Sequence, residues 1–105
     1  MENQINVFQG NTATVICIVT GLSDLVDYVA TLTVKWDAAD TTAALTKVGV
    51  INDLTITFTI DSKDNDLTPG NYVYDIMIVK PVAEEEPIEY TVVSGIYTVA
   101  DGVKN

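Results

Sequence analysis

The chain has 105 residues with 15 acidic side chains, five lysines, no arginine and no histidine, and a formal charge of −10. That balance argues against a nucleic-acid ligand, where cations must replace counterions along the phosphates, and disfavours an anionic membrane surface. It also removes the commonest metal ligand and neutral-pH proton shuttle, along with the bidentate clamp for carboxylates and phosphates, so ordinary catalytic sites are hard to assemble.

The length fits a single domain over residues 1–105. Met1-Glu2-Asn3-Gln4 shows no basic stretch leading into an apolar one, and no apolar run approaches the roughly 20 residues of a spanning helix. The expectation is a soluble protein made in the cytoplasm.

A short first strand over residues 4–8 ends at the turn signal Gln9-Gly10-Asn11. Residues 12–20 are apolar on both faces in their middle, the pattern of a central strand, and stop at Gly21. This segment holds the lone cysteine, Cys17, which therefore cannot form an internal disulfide; flanked by Val15, Ile16, Ile18 and Val19, it reads as a buried core thiol. Residues 23–25 and 38–45 have room for a helical turn and no more.

Residues 30–37 alternate cleanly. Ala30, Leu32, Val34 and Trp36 point one way, and Thr31, Thr33, Lys35 and Asp37 the other. Residues 45–50 make a weaker strand. Residues 54–61 alternate again, with Leu54, Ile56, Phe58 and Ile60 inward and three threonines outward, where β-branched side chains suit a pleated surface. Residues 71–80 set Tyr72, Tyr74, Ile76 and Ile78 against Val73, Asp75, Met77 and Val79. The last strand covers residues 88–100, where Gly95 suggests a bulge or bend. The whole reads as all-β, an immunoglobulin-like antiparallel sandwich of about seven strands.

Pro69-Gly70 makes a tight turn before Tyr72. In immunoglobulin folds a tyrosine there turns its hydroxyl back to upstream backbone, the tyrosine corner. In that frame Trp36 is the core tryptophan, Tyr74 stands where the second cysteine of the usual pair would be, and Cys17 lies on the strand that would carry the first. The acidic loop 61–66 offers Asp64, Asp66 and Thr68 at alternate positions, a weak calcium pattern. Pro69 replaces the glycine such a loop requires, and Asp75 replaces its final glutamate, so a solvated turn is expected. Glu84, Glu85 and Glu86 lie between Pro81 and Pro87, which predicts an extended, exposed loop, either a contact for a basic surface or a solubilising tip. There is no Ser-His-Asp set, glycine-rich phosphate loop or metal-ligand cysteine pair. No catalytic, cofactor-binding or metal-ligating residue is assigned, and no small-molecule substrate is expected.

The order of the segments Phe8-Gln9-Gly10-Asn11-Thr12, Lys47-Val48-Gly49-Val50-Ile51, Pro69-Gly70-Asn71-Tyr72-Val73-Tyr74-Asp75-Ile76 and Ser94-Gly95-Ile96-Tyr97-Thr98-Val99 resembles the immunoglobulin-like domain of bacteriophage virion proteins. That domain stands at the N-terminus of baseplate upper proteins and in related head-fibre and auxiliary capsid proteins. The resemblance spans roughly residues 5–99. It implies a virion structural protein without catalytic residues. Its partners would be other virion proteins, the major capsid protein or a head-fibre protein. Because the chain stops at Asn105, with no trunk following the domain, an auxiliary capsid or decoration protein on the head is favoured. A baseplate or tail adaptor domain and an adhesion or carbohydrate-binding module are the alternatives.

Overall fold

The computed structural model describes residues 3–37 and 39–101. The strands run in chain order as β1 (Asn3–Phe8), β2 (Ala13–Ile18), β3 (Val29–Lys35), β4 (Leu45–Val48), β5 (Val50–Asn52), β6 (Thr55–Ile60), β7 (Gly70–Lys80) and β8 (Ile88–Ala100). One sheet has the order β1-β8-β7-β3-β4 and the other β2-β6-β5. This is the immunoglobulin-like sandwich the alternating pattern predicts, with eight strands among the described residues instead of about seven. The pairing is antiparallel except between β1 and β8, which run side by side in the same direction from Asn3↔Gly95 to Phe8↔Ala100.

The alternation dictates the core. Ala30, Leu32 and Val34 of β3, Ile56, Phe58 and Ile60 of β6, and Tyr72, Tyr74, Ile76 and Ile78 of β7 are buried between the sheets with Tyr97 and Val99 of β8. The extra strand comes from the segment 45–50. It does not form one strand but divides at Gly49, with β4 in the five-stranded sheet and β5 in the three-stranded one. The Gly49 N–H donates to Ala30 C=O at 2.9 Å, tying the crossover to β3. The register shift in the last strand falls between Ile76 and Met77 of β7, where Val93 and Thr91 are the successive partners and Val92 is the extra residue. The bulge is thus at Val92, three positions before the glycine expected to mark it.

The tyrosine corner is present. Tyr72 Oη donates to Thr68 C=O at 2.7 Å, and burial raises the phenol pKa. Tyr72→Phe keeps the ring and loses the bond, so it should cost about 1 kcal/mol and lower Tm by about 4–8 °C with the fold unchanged. Thermal denaturation followed by circular dichroism checks this. Trp36, in contrast, is not a core residue. β3 ends at Lys35, the chain bends, and the indole is 57% exposed. It stands edge-on to Tyr72, with ring centroids 4.9 Å apart, and covers Gly70, where a Cβ would lie 2.9 Å from the ring. Val34, paired with Tyr74, is the last residue of β3 buried in the interior.

Candidate functional site

The acidic loop is a structural joint. Lys47 Nζ forms an ion pair with Asp64, and that hydrogen bond raises the lysine pKa. Asn65 is fully buried. Its Nδ2 donates to Phe8 C=O at 3.2 Å and to Asn11 C=O at 2.8 Å, while its Oδ1 accepts from Tyr97 Oη at 2.9 Å. Its backbone N–H reaches Asp61 C=O at 2.9 Å, and its carbonyl accepts Gly10 N–H at 3.1 Å. One side chain thus fastens the β1–β2 turn, the β6–β7 loop and β8 together. Burial pushes the Tyr97 phenol up to about 12. Among the described residues, no group of three or more cysteine, aspartate or glutamate side chains is placed to hold a metal ion. Nothing in the run Lys63-Asp64-Asn65-Asp66 sets the asparagine apart from its acidic neighbours, so this joint was not legible in the sequence.

The glutamate loop is exposed from Ala83 to Pro87, as expected, but it is not extended. Glu85 N–H donates to Val82 C=O at 3.2 Å, and Glu84 takes a φ of 63°, making a turn. Asp75 lies on the outer face of β7, between Thr33 of β3 and Ser94 of β8.

The surface departs most from expectation at β2. It is an edge strand of the three-stranded sheet, not a central one. Its apolar outer positions stay in solvent, with Ile16 64% and Ile18 69% exposed, and Val50 of β5 shares that face at 71%. Cys17 is consequently half-buried and not a sealed core thiol; burial raises its pKa, which keeps it protonated at neutral pH. It lines the same depression as the buried Tyr74.

That depression also takes in Gln4, Ile5, Val15, Ile16, Ile18, Ile76, Val92 and Val93. A second continues from Ile18 and Val92 through Val19, Leu22 and Tyr90. Together they form a groove between the open edge of β2 and the first half of β8. Its walls are core-facing residues left partly uncovered: Ile5, Val15, Cys17, Leu22, Val92 and Val93. The bulge at Val92 turns two successive valines toward it. Among the described residues, no charged side chain lines either depression. Acids stand next to the lining in the chain at one end: Asp24 beyond Leu22, and Glu89 before Tyr90. There Tyr90 meets Tyr28, their ring centroids 6.5 Å apart, and Lys80 Nζ sits 5.8 Å from the Tyr28 ring centroid.

No protein-family model and no curated protein matches the sequence. Among solved structures, the chain is similar to one in a structure described as the structural basis of T cell specificity and activation by the bacterial superantigen toxic shock syndrome toxin-1. The TM-score is 0.56 at 12% identity, covering 91% of this chain and 92% of that one. The near-equal coverages make the two chains nearly equal in length. At that identity the likeness shows the fold alone.

Proposed function

We propose that the chain is a non-catalytic structural protein of a bacteriophage virion, an auxiliary capsid or decoration protein held on the head by contacts with the major capsid or head-fibre protein. The observation that carries this reading is the contrast between an acidic chain and a groove lined by no charged described residue, beside an open strand edge. Such a surface fits protein docking better than turnover of a small molecule. The resemblance of residues 67–76 and 94–99 to virion immunoglobulin-like domains supplies the setting. The net charge of −10 favours solubility before assembly and repels packaged nucleic acid.

Virions purified from a host carrying the gene should contain the chain in many copies per particle by mass spectrometry, with immunogold label on heads. Absence from particles would overturn the reading. Label confined to tails would move the protein to the baseplate.

A further inference from the structure

We propose that the groove between β2 and the first half of β8 is a receptor for an extended strand donated by a partner protein, pairing edge-to-edge with β2. This rests on the docking reading above and names the kind of partner. Two rows of backbone face the groove. β1 flanks β8 only from Gly95 onward, so residues 88–94 of β8 pair with β7 on one side and with no described strand on the other. Among the described residues β2 pairs with β6 alone.

The direction of the free groups follows from one bond. Val19 N–H donates to Leu54 C=O at 2.9 Å, in register with the β2–β6 ladder. Backbone polar groups alternate sides along a strand in an antiparallel pair, so those of Ile16 and Ile18 point away from β6, toward the open edge. An added strand would satisfy them, and its inward side chains would cover Val15, Cys17, Val92 and Val93, which the fold leaves half-covered. Edge strands are ordinarily protected by lysine, proline or a bulge. Ala13-Thr14-Val15-Ile16-Cys17-Ile18 carries none of these.

Charge decides the occupant. Among the described residues the lining is neutral, while the chain that surrounds it carries −10. The fitting segment alternates β-branched or aliphatic residues along an uncharged middle and ends in lysine or arginine. A second copy of this chain fits less well. Each copy carries −10, so two copies repel where a basic-ended strand is attracted.

The test uses a short synthetic peptide that alternates threonine with valine or isoleucine and ends in lysine. Cys17, the lone cysteine, is the built-in reporter. With peptide at about ten times Kd, thiol modification of Cys17 should slow about tenfold. Ile18→Pro removes a backbone N–H aimed at the open edge without touching the β2–β6 ladder, a place where edge strands tolerate proline. It should abolish the protection, as should Ile16→Lys, while both variants keep the parent circular dichroism spectrum. An unprotected Cys17 in a monomeric protein overturns the proposal. So does a concentration-dependent dimer in sedimentation that Ile18→Pro dissolves, because the edge then belongs to a second copy. Virions that incorporate Ile18→Pro as well as the parent chain overturn strand donation and leave the virion reading standing. Peptide protection in a chain absent from particles does the reverse.

Discussion

Asn65→Ala should lower the unfolding free energy by about 3–5 kcal/mol and Tm by roughly 15–25 °C, the largest effect of any single polar substitution in the chain. The side chain is fully buried and makes three hydrogen bonds, donating to Phe8 and Asn11 carbonyls and accepting from the Tyr97 hydroxyl. Alanine restores none of them and leaves the Tyr97 hydroxyl buried without its acceptor, at the full desolvation cost of about 1–3 kcal/mol. Tyr97→Phe removes only the third bond and should cost about 1–2 kcal/mol; the larger cost of the alanine variant holds the two carbonyl contacts together with the stranded hydroxyl and the space the amide leaves. The same pair has a pH signature. Burial lifts the folded phenol to about 12 against an ordinary value of 10.0. A raised folded pKa means this stabilisation is complete below the unfolded value and is lost as pH climbs from about 10 to about 12. Urea denaturation from about pH 9 to about pH 11 should therefore show a decline in the parent protein that Tyr97→Phe makes shallower, the remainder coming from Tyr72, Tyr74 and Cys17, whose pKa values burial also raises. Equal slopes, or a cost for Asn65→Ala below about 1 kcal/mol, would show that Asn65 and Tyr97 do not hold the fold together.

What the sequence made legible was whatever its period of two controls. β3, β6 and β7 carry unbroken alternation, and their inward residues are those found buried. The tyrosine corner was legible because Pro69-Gly70 fixes where β7 begins, which places Tyr72 two residues inside it. Trp36 misled because alternation says nothing about where a strand ends. The parity is right, but the chain bends after Lys35 and carries the indole out. β2 misled for a different reason. A run apolar on both faces is the mark of a central strand only if something covers each face, and here the outer isoleucines are bare. The residues that made β2 look central are the ones that leave its edge and face open for a partner. Nor could local pattern reveal the joint at Asn65, whose bonding partners lie 32 to 57 residues away in the chain.

Gly49→Ala should cost about 3 kcal/mol, through overpacking rather than lost hydrogen bonding. Gly49 is where the chain leaves the sheet of β3 and β4 and enters that of β5 and β6. An added Cβ would lie 2.6 Å from Ile56 Cγ2, 2.7 Å from Phe58 Cε1 and 3.0 Å from Phe58 Cζ, well inside contact distance. Neither neighbour has room to give. Both are fully buried, the isoleucine branch methyl is set by a stiff χ1, and the ring is a rigid plate. Moving the backbone instead would strain the Gly49 N–H bond to Ala30 C=O, which holds the crossover in place. A double-mutant cycle separates this from a general intolerance of alanine. Phe58→Leu alone opens space and costs about 1–2 kcal/mol. Combined with Gly49→Ala, it should recover at least about 1 kcal/mol of the summed loss, because the smaller side chain vacates the volume the new methyl needs. Additivity within about 0.5 kcal/mol would show that the space beside Phe58 is not what the glycine provides, leaving the contact with Ile56 or the backbone itself as the cause.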